Sequence, residues 1–106
     1  MQFFVYGPPS NRQQPRDPAA LGKFMEESMK KGILVTGGGL NRKETRVLLK
    51  EGKSSITDGP FLEGRELIPG FAVIRVDTKE QAIEWVTKQQ QLYGDGETNI
   101  VQILGA

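Results

Sequence analysis

Two strand-like segments of this chain, Gln2 to Tyr6 (QFFVY) and Phe71 to Val76 (FAVIRV), are apolar on both side-chain parities. Phe3 and Val5 alternate with Phe4 and Tyr6, and Phe71 and Val73 alternate with Ala72, Ile74 and Val76. Successive side chains of a strand point to opposite faces, so segments of this kind belong in a sheet covered on both sides. The rest of the chain must supply that cover.

Only two helical patterns are available to do so. Asp17-Pro18 reads as an N-cap followed by proline at the first helical position. Leu21, Phe24, Met25 and Met29 then fall on one face at a period of 3.6, and the segment ends at Lys30-Lys31-Gly32. Thr78, with Gln81 three residues later, forms the capping box of a second helix. Its inner stripe is expected to be Ala82, Ile83, Val86 and Tyr93, with Gln89-Gln90-Gln91 on the solvent side and Gly94 at its end. Ile33 to Thr36 reads as a strand broken by Gly37-Gly38-Gly39, and Asn99 to Leu104 as the last strand. Arg46 to Lys50 and Ser54 to Asp58 flank Glu51-Gly52-Lys53, where glycine supplies the positive φ of a tight hairpin. The polar, proline-rich Pro8 to Pro18 reads as a surface loop.

The order is strand, helix, strand, hairpin, strand, helix, strand. Right-handed crossovers place both helices on one face of a single sheet, which predicts an α+β, ferredoxin-like sandwich with an inserted β-hairpin, formed by residues 1–106 as one domain. The opposite face would remain apolar and wet. At about 25 cal/mol per Å2, exposing several hundred Å2 forgoes roughly 5 kcal/mol or more. The economical cover is a second copy of the same sheet, giving a twofold homodimer with a dimeric α/β-barrel assembly.

Composition narrows the chemistry. The chain has no cysteine and no histidine, which removes disulfides, thiolate metal sites and the usual proton shuttle near neutral pH. Neither a metal nor a cofactor is expected. Formal net charge is +1 with the basic residues scattered, so nucleic acid is not an expected partner. No apolar run approaches the roughly 18 to 20 residues that span a bilayer, and the N-terminal segment lacks the pattern of a leader, so a cytoplasmic protein without a membrane partner is expected. The triple glycine lacks the context of a phosphate loop and reads instead as a bulge or bend where the strand passes a cleft.

Several segments together carry a resemblance. GILVTGGGL at 32–40, the hairpin ending in TDGPF at 57–61, then Glu63-x-Arg65-Glu66 and Pro69-Gly70-Phe71, are similar to DGPF-type, YCII-related proteins. The similarity runs from the first strand to about Trp85. It implies a bacterial, dimeric α+β barrel of ferredoxin-like fold, a family whose biochemical role is largely unassigned. Related members include enzymes acting on small aromatic-derived acids, and some occur with extracytoplasmic-function sigma factors. Asp58 takes the family's acidic position. Many relatives pair that aspartate with a histidine on the first helix, which this chain lacks, and its C-terminus reads IVQILGA rather than Glu-x-Arg-Pro.

Asp58 has two readings: a carboxylate positioned at a strand terminus for binding or proton transfer, or a turn residue that stops the strand. Gly59 lets the backbone turn closely, Pro60 fixes φ, and Phe61 can pack as a lid. Arg65 can hold a carboxylate bidentately or belong to a surface ion cluster with Glu63 and Glu66; Arg46 and Arg75 are weaker candidates of the same kind. Tyr6 ends its strand at the same cleft or serves as core. The expected function is a homodimer that binds a small polar or acidic metabolite near Asp58. The alternatives are a lyase- or isomerase-type enzyme with Asp58 as general base, and an interaction module for a sigma factor or other transcription regulator.

Overall fold

The computed structural model of the chain describes residues 1–8, 15–41, 43–59 and 68–105. The aromatic N-terminal segment forms β1 (Gln2–Tyr6). Helix α1 (Pro18–Lys30) begins with proline at its first turn, and the Asp17 carboxylate accepts from the Ala20 N–H at 3.0 Å. Gly32, at φ 75°, turns the chain out of the helix into β2 (Leu34–Gly39). The hairpin strands are β3 (Thr45–Lys50) and β4 (Lys53–Asp58). Then come β5 (Gly70–Arg75), α2 (Lys79–Tyr93) and β6 (Asn99–Ile103). The capping box of α2 is complete: the Gln81 N–H donates to Thr78 Oγ1, and the Gln81 side chain accepts from the Thr78 N–H.

Four strands make one sheet in the order β2-β5-β1-β6, with every neighbouring pair antiparallel. This is the ferredoxin-like α+β arrangement expected from the element order. Both helices lie on one side. Phe3, Val5, Ala72 and Ile74 from the two central strands are buried against Ala82, Trp85 and Val86, with Phe24 and Met25 of α1 packed on the cluster. On the other side the register sets Phe4 between Val73 and Val101, and Tyr6 between Phe71 and Asn99. The Phe4 ring stacks on Phe71 with centroids 5.6 Å apart. Val101 on this side is 50% exposed.

Three local expectations are corrected. Met29 and Ile83 do not join the inner stripes, being 61% and 46% exposed. The buried faces are instead Leu21, Phe24, Met25 and Ser28 on α1, and Ala82, Trp85, Val86 and Gln89 on α2, each at i, i+3, i+4, i+7 spacing. Each stripe therefore ends in a polar residue, which a search for apolar periodicity passes over. Ser28 tolerates burial because its hydroxyl donates to the Phe24 carbonyl at 2.8 Å and accepts from Trp85 Nε1 at 2.9 Å.

The triple glycine does not break β2, which runs through Gly39. The register irregularity falls earlier, between Leu34 and Thr36. A Cβ on Gly37 would sit 2.7 Å from the Phe71 carbonyl oxygen, so this glycine permits close approach of two backbones.

The hairpin stands apart. Its turn places both Glu51 (φ 52°) and Gly52 (φ 76°) in the left-handed region, the geometry that matches the twist of the flanking strands. Among the described residues β3 and β4 pack substantially only on each other. The radius of gyration is 16.4 Å, against about 13 Å for a compact chain of this length. The longest dimension is 47 Å, and a six-residue strand pair is roughly 20 Å long. Among the described residues no helix is long and apolar enough to cross a membrane.

Candidate functional site

The end of the sheet where β1 stops is also where β2 ends and β5 begins. Gly38, Gly39, Gly70 and Phe71 meet Tyr6 there, and the C-terminal turns of α2 close over them. The result is a cavity of about 440 Å3, also lined by Met25, Gln89, Gln90, Tyr93 and Thr98. That size suits a small molecule. The walls are apolar on the side of Val5, Met25 and Ala72, and polar on the side of α2.

Local chemistry fixes the polar wall. Gln90 donates from Nε2 to the Gly94 carbonyl at 2.6 Å and accepts at Oε1 from the Thr98 hydroxyl. Gly94 reverses the chain at φ 116°, and its N–H donates to the Gln90 carbonyl at 2.8 Å. The loop from α2 into β6 is thereby tied to the last helical turn. Gln89 and Gln90 are half-buried, a correction to the solvent-facing role expected for the glutamine run. Gln89 sits seven residues after Ala82, on the buried stripe of α2. That spacing was the signal by which the sequence could have revealed it.

Of the residues singled out from sequence, Tyr6 lines this cavity, and its ring lies 5.6 Å from that of Phe4. Asp58, Gly59 and Arg46 lie on or beside the hairpin and do not line it. Asp58 ends β4 directly opposite Thr45, whose hydroxyl donates to Asp58 Oδ1 at 2.8 Å. The Gly59 N–H donates to the Glu44 carbonyl at 2.6 Å and closes the open end of the hairpin. The carboxylate is exposed and held by a neighbouring strand. Arg46 pairs with Thr57 on the other face of the hairpin and is half-buried. Pro60, Phe61 and Arg65, with Glu63 and Glu66, lie outside the described residues.

The chain leaves β2 toward the hairpin and returns to β5 beside the cavity. The Leu40 N–H donates to the Pro69 carbonyl at 2.9 Å, just where the chain leaves β2 and just before it enters β5. Pro69 itself lines the cavity. A second cavity, of about 400 Å3, lies at the opposite end of the sheet between the two helices, lined in part by Ser28, Trp85 and Arg75. Among the described residues no cluster of three His, Cys, Asp or Glu side chains could hold a metal ion.

A ferredoxin-like sheet with a hairpin between its second and third core strands, and a cleft at the end where that hairpin departs, defines the class of small α+β domain to which this chain conforms. The sequence profile of the YCII-related domain matches residues 1–104, and the chain belongs to that family. No curated protein matches it.

Proposed function

We propose that this YCII-related protein is a homodimer that binds a small polar or acidic metabolite in the cleft at the end of the sheet, near the base of the hairpin that carries Asp58. The observation that carries the reading is the cavity of about 440 Å3 in which Gln89, Gln90, Tyr93 and Thr98 face bare glycine backbone and apolar side chains. A few oriented polar groups in a mostly apolar concavity are what a small ligand needs for both affinity and orientation. A Cβ on Gly39, which shares the helix side with Ala72, would meet only the Pro69 carbonyl oxygen, at 3.9 Å, so the space beside it is open to a guest.

Calorimetric titration with benzoate and with succinate tests this reading. Binding of either with a dissociation constant of about 1 mM or tighter, lost in Gly39→Val while the thermal unfolding midpoint holds, supports it. No heat from either acid, together with no small molecule in native mass spectra of freshly purified protein, overturns it. Asp58→Asn separates binding from general-base chemistry: a neutral amide still accepts hydrogen bonds but no longer takes a proton.

A further inference from the structure

The two faces of the hairpin differ. The register places Val47, Leu49 and Ile56 on one face, together with the Thr45–Asp58 pair, while Arg46, Leu48, Lys50 and Lys53 lie on the other. Val47, Leu49 and Ile56 are 67%, 71% and 71% exposed. A two-stranded hairpin is marginal in water by itself and becomes stable by packing an apolar face on something else. This hairpin points away from its own body, so its own helices and sheet do not supply that surface.

The occupant follows from area. Four strands of about five residues present a sheet face of roughly 320 Å2 in plan, whereas a stable dimer buries about 800 Å2 per partner. The sheet face alone falls short. A hairpin of two six-residue strands offers roughly 200 Å2 in plan. In a twofold dimer each protomer adds the apolar face of its own hairpin to its sheet face, raising the plan area to roughly 520 Å2 per partner before side-chain relief is counted. The same second copy that covers Phe4, Phe71 and Val101 therefore also provides the seat for Val47, Leu49 and Ile56.

We propose that the β3–β4 hairpin is an exchanged arm, which lays its Val47, Leu49 and Ile56 face on a second copy of this chain. This rests on the homodimer proposed above. Because Asp58 shares that face, docking the arm also brings the Asp58–Thr45 pair against the partner subunit. Asp58 and Thr45 then lie at the seam between the two chains.

Sedimentation velocity and hydrogen exchange test the arm together. The triple variant Val47→Thr, Leu49→Thr, Ile56→Thr keeps β-favouring side chains but removes the apolar face. Its dimer dissociation constant rises at least about tenfold, while Trp85 fluorescence, which reads the helix layer from the chain's one tryptophan, stays unchanged. In the wild-type dimer the amides of residues 45–58 are slow to exchange. In Val101→Glu, a sheet-face variant driven to the monomer, they are fast. A wild type that is monomeric at micromolar concentration defeats the homodimer and the arm with it. A wild-type dimer broken by Val101→Glu, yet indifferent to the triple threonine variant, defeats the arm and leaves the dimer standing. Fast exchange of residues 45–58 within the intact dimer also defeats the arm.

Discussion

Adjacent glycines of β2 have opposite tolerances, and the difference is a matter of tenths of a nanometre. A methyl on Gly37 meets the Phe71 carbonyl oxygen at 2.7 Å and the Ala72 Cα at 3.2 Å, both backbone atoms that move only with the strand. A methyl on Gly38 meets nothing within 4 Å. Gly37→Ala therefore costs about 1 to 3 kcal/mol, the usual range for overpacking, and Gly38→Ala stays within about 0.5 kcal/mol; urea unfolding of the two variants measures the contrast. Ser28 carries a different load. Its hydroxyl is the partner of the buried Trp85 indole N–H, so Ser28→Ala leaves a buried donor unsatisfied and costs about 1 to 3 kcal/mol, read by the same unfolding curves and by a change in Trp85 emission. Thr78→Ala removes the acceptor for the Gln81 N–H and costs about 1 kcal/mol.

Helices, strands and hairpin were legible because each begins or ends on a residue with one strong local reason to be there. Asp17 and Thr78 cap their helices as their side chains dictate, and Gly32 and Gly52 sit at positive φ where the chain must turn. The faces were less legible. Ser28 and Trp85 are buried as a pair, fifty-seven residues apart, and neither position announces the other. The cavity was legible at Tyr6 and in the glycine run expected to pass a cleft, but not beyond, since the rest of its wall comes from α1, α2, β5 and the approach to β6, and no local pattern brings these together. Asp58 was legible as a strand terminus, but its partner Thr45 became visible only with the register of β3 on β4. That register also exposes a weakness in the turn. Glu51 occupies a left-handed conformation that costs a residue with a Cβ about 1 to 2 kcal/mol, whereas asparagine visits it readily. Glu51→Asn slows amide exchange in residues 45–58, and faster exchange would contradict the turn geometry.

The assembled protein has one property that no single element accounts for: an apolar surface on both sides of a sheet whose helices lie on one. Phe4, Phe71, Val73 and Val101 remain within reach of solvent on the second side, beside a hairpin whose apolar side chains are also uncovered. If a second copy covers these surfaces, folding and association are one equilibrium, and stability depends on protein concentration. A hundredfold increase in concentration shifts such an equilibrium by about 1.4 kcal/mol of monomer, which for a domain of this size moves the unfolding midpoint by roughly 5 to 10 °C. Scanning calorimetry at 5 and 500 μM, concentrations of order chosen to span that range, is expected to show the rise in wild type. Val101→Glu, which sets a charge beside Phe4 on the edge strand of that second side, is expected to lower the midpoint and to remove its dependence on concentration. A midpoint independent of concentration in the wild-type protein would mean that the second side of the sheet is stable in water without a partner of its own kind.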